Sequence, residues 1–136
     1  MNILFFLRPK VTISFLEDTD SLRQALEKIK KSGYTNLPVL NSDGEFVYSL
    51  SEGDILFKIL EDDVFSIHHS EGIKINDIKR RRTFKTINVN NNIEDLVQIA
   101  LDQNYVPVLD DRNKFIGIIT RHDIIKYFFN NQVKEK

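Results

Sequence analysis

A chain of 136 residues with 41% hydrophobic and 29% charged residues has an ordinary globular composition and is too apolar to be disordered. Its 19 basic and 20 acidic residues nearly cancel, so no overall field draws it to nucleic acid or to an anionic membrane. The sequence contains no cysteine, which excludes a disulfide framework, a thiolate nucleophile and a cysteine-ligated zinc site.

The apolar start of the chain predicts a segment that packs against the fold. Residues 1–7 lack the charged leading region, the length and the cleavage site of a secretion signal. No apolar run approaches the roughly 20 residues that span a bilayer. We therefore expect a cytoplasmic protein without membrane partners.

The first half of the chain predicts a strand, a helix, a hairpin and a second helix. An alternating run at 11–16 predicts the strand. The helix is predicted from apolar residues at helical spacing, with Gly33 as its expected C-cap: Leu22, Ala25, Leu26 and Ile29. The remaining elements are a strand up to Leu40, a turn at 41–44, a strand at 46–50 and a helix from Glu52 to about Leu60.

The second half predicts the same order of elements. An alternating run at 84–89 predicts the strand, and Asn104 is the expected cap after the helix. The helical apolar positions are Ile93, Leu96, Val97 and Ala100. The remaining elements are a strand up to Leu109, a turn at 110–114, a strand at 115–119 and a helix from Arg121 to about Phe129.

The two halves are an internal repeat. Pro107 lies 69 positions after Pro38, and Asp123 lies 69 positions after Asp54. The repeated order predicts an α+β (α/β) fold of two β-α-β-β-α motifs packed with pseudo-twofold symmetry into one globular module. A copy of roughly 55 residues is small to bury its sheet alone. We expect motif 1 at 7–62, a polar connector at 63–82 and motif 2 at 83–130.

A Ser/Thr-x-x-Asp tetrad begins the last helix of each copy, at Ser51–Asp54 and at Thr120–Asp123. A hydroxyl and a carboxylate beside the first N–H groups of a helix can bind a ribose and a phosphate together. The tetrad alone also fits a structural capping box, although such boxes prefer Glu or Gln at the last position. Its recurrence after matching hairpins favours a binding site.

The sequence resembles the CBS domain, and two copies in tandem resemble the CBS pair, or Bateman module. The resemblance rests on Leu-Pro-Val-Leu at 37–40, its counterpart at 106–109, and the two tetrads followed by isoleucine. It is closest over 115–124 and weaker in the first copy, where Tyr48 stands in the place of Gly117. It implies a regulatory sensor that binds adenosine-containing ligands between the two copies.

The resemblance also implies site residues by position. One cleft would use Thr120, Arg121, His122 and Asp123 with Thr12, Ile13, Thr35 and Asn36. The other would use Ser51 and Asp54 with Lys85, Thr86, Asn104 and Tyr105. Arg121 and His122 replace Glu52 and Gly53 of the first copy, so a phosphate should prefer the Thr120 cleft.

The basic run at 79–82 predicts a solvated connector. Alternatively, arginines such as Arg81 contact ligand phosphates or bind an acidic partner. Nucleic-acid binding is disfavoured, because the run lacks the interleaved aromatic residues of such sites. Adjacent His68 and His69 fit a solvated loop better than a metal site. The aromatic run at 127–129 predicts a packing or dimer surface rather than a membrane helix.

The leading hypothesis is a nucleotide-sensing module that binds AMP, ADP or ATP, works as a homodimer and signals to an unknown effector protein. S-adenosylmethionine and cyclic di-AMP are further ligands to consider, and a cyclic di-AMP receptor is an alternative. A second alternative is a ligand-free interaction or dimerisation module. An enzyme is disfavoured because the sequence shows no nucleophile triad, glycine-rich phosphate loop or metal-ligand cluster.

Overall fold

A computed structural model describes residues 1–62 and 70–135, and the chain divides into two compact units. The first-copy unit is Ser14–Thr83, and the second-copy unit joins Met1–Ile13 to Phe84–Lys136. The prediction of a solvated loop at His68 and His69 lies outside the described residues. No helix in the described ranges is long and apolar enough to cross a membrane.

Within residues 14–62, the first-copy unit contains a three-stranded sheet and two helices. Along the chain these are strand β2 (Leu16–Glu17), helix α1 (Leu22–Ser32), strands β3 (Asn36–Leu40) and β4 (Phe46–Ser51), and helix α2 (Glu52–Asp62). The sheet order is β2-β3-β4, with β2 parallel and β4 antiparallel to β3. The predicted hairpin and the order of elements are confirmed.

Helix α1 has the caps that its sequence predicts. The Ser21 hydroxyl accepts from the N–H of Gln24, and the Gln24 side chain accepts from the N–H of Ser21. Gly33 ends the helix in the left-handed conformation, with a φ of 76°, which a glycine adopts without steric cost. The buried face carries Leu22, Ala25 and Ile29.

The second-copy unit has four strands and two helices. Along the chain these are strands β1 (Arg8–Pro9) and β5 (Ile87–Asn88), helix α3 (Ile93–Ala100), strands β6 (Tyr105–Leu109) and β7 (Phe115–Thr120), and helix α4 (Arg121–Glu135). The sheet order is β1-β7-β6-β5, and β1 pairs antiparallel with β7. The mixed α+β class is confirmed, and this sheet has one more strand than that of the first-copy unit.

Several local predictions were wrong in extent or in the capping residue; the last helix, expected to end at about Phe129, continues to Glu135. The strand expected at 11–16 begins only at Leu16, because Lys10–Thr12 forms a 3₁₀ turn. The strand expected at 84–89 is confined to Ile87–Asn88. Helix α3 is capped by Leu101, whose N–H donates to the carbonyls of Ile99 and Val97, and not by Asn104.

Each unit is completed by a segment that precedes the other copy. Ile3 and Phe6, in a 3₁₀ turn, are buried in the core of the second-copy unit. Ile75 and Ile78, 72 positions later at a matching 3₁₀ turn, are buried in the core of the first-copy unit. Part of the stretch expected to be a polar connector is therefore core, because these isoleucines are 0% and 1% exposed.

Candidate ligand-binding residues in the two copies

In the second copy, the tetrad lies where β7 ends and α4 begins. Thr120 is the last residue of β7 and is buried, and its Oγ1 accepts from the N–H of Asp123 at 3.1 Å. The hydroxyl therefore meets one of the N–H groups that a helix leaves unpaired in its first turn. The carboxylate of Asp123 remains at the surface, with its side chain 28% exposed.

Both oxygens of Asp123 contact Arg8, a residue that the sequence analysis missed. Arg8 Nε donates to Oδ2 at 2.7 Å, and Nη2 donates to Oδ1 at 2.9 Å. This two-point geometry is the strongest form of an arginine–carboxylate pair. The hydrogen bonds from Arg8 hold the pKa of Asp123 below its usual value, and the nearby charge of Arg8 and the Thr120 hydroxyl act in the same direction.

Gly117 allows Arg8 to lie on this sheet. Pro9 pairs with Gly117, and Arg8 pairs with Ile118. A Cβ at position 117 would overlap the carbonyl oxygen of Arg8 and lie 2.9 Å from Leu7 Cδ1, and the φ of 155° is one that other residues rarely adopt. The glycine is therefore required for the close approach of β1 to β7.

Arg121 does not direct its Nε toward the tetrad carboxylate. That atom donates to the carbonyl of Ala100 at 2.8 Å, at the end of α3, and the backbone N–H donates to the carbonyl of Asn104 at 2.9 Å. Cations commonly pair with carbonyls at helix C-termini in this way. His122 is exposed and contributes weakly to the lowered pKa of Asp123.

The other residues assigned to the Thr120 cleft are divided between the units. Thr12 and Ile13 belong with the tetrad in the second-copy unit, where Thr12 is exposed and its Oγ1 donates to the carbonyl of Pro9 at 2.7 Å. Thr35 and Asn36 belong to the first-copy unit. There the Thr35 carbonyl accepts from the N–H of Glu52 at 2.8 Å, which matches the contact between Asn104 and Arg121 in the second copy.

The segment that carries Thr86 is held by a glutamine that the sequence analysis also missed. Gln103 is buried; its Oε1 accepts from the N–H of Lys85 at 2.6 Å, and its Nε2 donates to the carbonyls of Lys85 and Tyr105. Tyr105 is buried at the start of β6, with its ring centroid 5.0 Å from that of Phe84. The only sign of this role in the sequence was a polar residue, Gln103, shortly after a helix that has no glycine at its C-terminal end.

In the first copy, Asp54 is buried and bound to backbone. It is 4% exposed; its Oδ2 accepts from the N–H of Ser51 at 3.1 Å, and its Oδ1 accepts from the N–H of Arg81 at 3.1 Å. The N–H of Asp54 donates to Ser51 Oγ at 3.0 Å, which completes a reciprocal capping box. The structural interpretation of the tetrad therefore fits this copy.

Two arginines of the basic run contact aromatic rings of the first-copy unit. The guanidinium of Arg81 lies 3.9 Å from the ring centroid of Phe57, and that of Arg80 lies 3.9 Å from the ring centroid of Tyr48. A groove of about 410 Å³ beside α2 is lined by Asp54, Phe57, Lys58, Glu61, Lys79, Arg80 and Arg81. The run is therefore partly packed and contributes cations to an open groove.

Within residues 1–62 and 70–135, no group of three or more His, Cys, Asp or Glu side chains is arranged to hold a metal ion.

The chain matches known proteins over both copies. The family model of the CBS domain matches residues 8–61 and 75–130. The chain is 29% identical to the uncharacterized protein MJ1426 of Methanocaldococcus jannaschii, covering 86% of each protein. It is 24% identical to the CBS domain-containing protein CBSX1 of Arabidopsis thaliana, covering 89% of this chain and 61% of that relative.

Two solved structures have a similar fold. CbpB of Listeria monocytogenes, in complex with c-di-AMP, is 25% identical, with a TM-score of 0.82 and 96% of each chain covered. A CBS domain protein of Streptococcus pneumoniae is 26% identical, with a TM-score of 0.82, 94% of this chain and 86% of that chain covered. The repeat found in the sequence is thus shared with these structures.

Proposed function

Because the chain belongs to the CBS domain family, we propose that it is a regulatory module that binds an adenine nucleotide and passes the signal to a partner protein. The observation that carries the proposal is the partly exposed carboxylate of Asp123 beside the Thr120 hydroxyl at the start of α4. A carboxylate accepts two hydrogen bonds from a ribose diol, and the start of a helix favours phosphate.

We assign the ligand contacts first to the second-copy unit. Its tetrad residues Thr120 to Asp123 lie in the same unit as Thr12 and Ile13, and Thr86 and Tyr105 belong to that unit as well. In the first-copy unit, Ser51, Asp54, Thr35, Asn36 and Arg81 form the weaker candidate, because Asp54 is already satisfied by backbone N–H groups. A ligand would have to break a capping box to use it.

Two classes of adenine nucleotide fit the proposal. AMP, ADP and ATP carry a 2′,3′-diol that can donate twice to one carboxylate. Cyclic di-AMP keeps only the 2′-hydroxyl on each ribose, and it is supported by the similarity to Listeria CbpB in complex with that ligand. The proposal therefore includes both the mononucleotides and cyclic di-AMP, and measuring the binding of each ligand distinguishes them.

The test is thermal unfolding of the full chain with AMP, ADP, ATP, S-adenosylmethionine and cyclic di-AMP. A ligand at a hundred times its dissociation constant should add about 2.7 kcal/mol of stability. Asp123→Asn should weaken binding at least about tenfold, because a charged acceptor is lost. Asp95→Asn is the matched control, since Asp95 lies in the first turn of α3 in the same unit. The absence of a shift with every ligand would refute the proposal.

We also propose that the module acts as a homodimer through its last helices. Leu56 and Leu60 of α2 are 54% and 62% exposed, and Ile125 and Phe129 of α4, at the equivalent repeat positions, are 60% and 65% exposed. Apolar residues four apart form a stripe on one helix face, and exposed stripes mark contact surfaces. Neither this role nor the binding role requires catalysis by the chain.

The double variant Leu60→Asp with Phe129→Asp should convert a dimer into a monomer in sedimentation equilibrium. Leu101→Asp is the control, because Leu101 is 67% exposed but follows α3 and belongs to neither stripe. A wild-type protein that sediments as a monomer at high concentration would rule out this surface as a dimer contact.

A further inference from the structure

The groove beside α2 lies wholly in the first-copy unit and has an excess of positive charge. The cations of its lining outnumber the carboxylates: Lys58, Lys79, Arg80 and Arg81 against Asp54 and Glu61. Asp54 already accepts from backbone N–H groups, and Lys58 pairs with Asp62 at 2.7 Å. The basic run therefore faces the groove with more charge than Glu61 can balance.

Aromatic rings hold two of these cations in place. The guanidinium of Arg81 lies 3.9 Å from the ring centroid of Phe57, and that of Arg80 lies 3.9 Å from the ring centroid of Tyr48. Within residues 1–62 and 70–135, neither guanidinium pairs with a carboxylate. A guanidinium stacked on a ring keeps its N–H edge open for a carboxylate, and its prior ordering lowers the entropy cost of binding.

We propose, resting on the function above of signalling to a partner protein, that this groove binds an acidic segment of that partner. Its cations complement the carboxylates of such a segment. Phe57 is 49% exposed and offers an apolar contact between the cations. The partner chemistry is therefore a short stretch of Asp or Glu residues interrupted by apolar side chains.

The geometry favours a chain of carboxylates over a single phosphate. Phosphate sites commonly gather backbone N–H groups around one anion. At the start of α2 the N–H groups of Ser51 and Arg81 donate to Asp54, and that of Asp54 donates to Ser51 Oγ. The two guanidinium groups stack on rings of different elements, Tyr48 in β4 and Phe57 in α2. Arg81 is thus better placed for a protein carboxylate than for the phosphate of the weaker nucleotide candidate.

The groove is separate from the proposed dimer stripe and is specific to the first copy. Positions 54, 57, 58 and 61 share one face of α2, whereas Leu56 and Leu60 lie on another face. In the repeat, Pro9 lies 72 positions before Arg81, and Lys126 lies 69 positions after Phe57. The second copy therefore has no arginine stacked on a ring at these positions.

The test is fluorescence anisotropy of the full chain with the labelled peptide Glu-Glu-Phe-Glu-Glu-Leu-Glu-Glu and with its glutamine counterpart. The wild type should bind the glutamate peptide at least about tenfold more tightly, and the affinity should fall as salt rises. Lys79→Gln with Arg81→Gln should weaken that binding at least about tenfold. Phe57→Leu, which keeps every charge but removes the ring under Arg81, should weaken it about threefold.

Lys30→Gln with Lys31→Gln is the matched control, because these exposed lysines end α1 in the same unit and remove the same charge. It should leave the affinity unchanged. Equal weakening in the two double variants would show an effect of net charge alone and would overturn the proposal. Binding of inorganic tripolyphosphate, but not of the peptide, in isothermal titration would also overturn it.

The nucleotide function is tested separately by the thermal unfolding described above. A ligand shift without peptide binding by the wild type would overturn the role of the groove and leave the nucleotide function in place. Peptide binding with the expected losses in the variants, but no ligand shift, would support the groove and refute the nucleotide function.

Discussion

The two copies carry the same tetrad but hold its carboxylate in different ways. Asp54 is 4% exposed and accepts from the backbone N–H groups of Ser51 and Arg81. Asp123 has a side chain 28% exposed and accepts from the guanidinium of Arg8. A backbone partner cannot leave without unfolding the turn, whereas a side chain can rotate away. The same motif therefore has its carboxylate held by backbone in one copy and by a side chain in the other.

The largest expected effect is the loss of the Asp54 carboxylate. Asp54→Ala should lower the free energy of unfolding by about 3 kcal/mol, because two N–H groups beside a buried position lose their acceptor. Asp123→Ala should lower it by at most about 1 kcal/mol, since a partly exposed ion pair contributes little. Urea unfolding followed by circular dichroism measures both. Equal losses in the two variants would contradict the distinction between the copies.

The next effect concerns position 117 in β7, which is a glycine. The equivalent position of the first copy, in β4, is Tyr48. Gly117→Ala should destabilise the protein by about 2 kcal/mol and raise hydrogen exchange in β1, because its Cβ overlaps the Arg8 carbonyl at a strained φ. Gly53→Ala is the control: its Cβ would lie 3.6 Å from Ser51 Oγ, an ordinary contact, inside α2. Alanine at position 53 should leave the free energy of unfolding unchanged or raise it by up to about 1 kcal/mol.

A destabilised Gly53→Ala together with an unaffected Gly117→Ala would contradict the proposal that close approach of β1 requires a glycine at position 117.

In the first-copy unit, Tyr48 stands at the position equivalent to Gly117 and has a different role. Its hydroxyl donates to Asn76 Oδ1 at 2.6 Å, and burial raises the pKa of Tyr48 to about 12, so it stays a neutral donor.

The smallest effect is the pH dependence of the Arg8–Asp123 pair. The pKa of Asp123 is lowered in the folded state, so the pair stabilises the fold above the unfolded pKa and stops doing so as pH falls through the folded pKa. Arg8→Gln should therefore lower stability by up to about 1 kcal/mol near neutral pH and by progressively less as the pH falls below the ordinary pKa of an aspartate. Urea titrations of both proteins at neutral pH and at a series of acidic pH values measure the difference. A difference that persists in acid would show that Arg8 acts through packing.

Much of the candidate site was predictable, because the tetrads lie at helix starts that local sequence signals reveal. Arg8 was not predictable from spacing, since it lies 115 positions before Asp123, in the expected motif of the other copy. One signal was available: Ile75 and Ile78 lie 72 positions after Ile3 and Phe6, and Arg80 lies 72 positions after Arg8. This extended repeat would have shown that the segments before the strands belong to the fold.

The repeat, the α+β class, both hairpins and the Gly33 cap followed from the amino-acid sequence, and the resemblance to the CBS domain was confirmed by the family match. The elements within each copy depend on residues within about one turn or one hairpin of each other, so local periodicity encodes them, and the repeat shows as the recurrence of those local patterns. The tertiary structure alone decided which unit each early segment completes and which partner each carboxylate has. Those choices depend on contacts between residues far apart in the sequence, such as 27 positions for Asp54 and Arg81 and 115 for Arg8 and Asp123, and burial and close backbone approach select them.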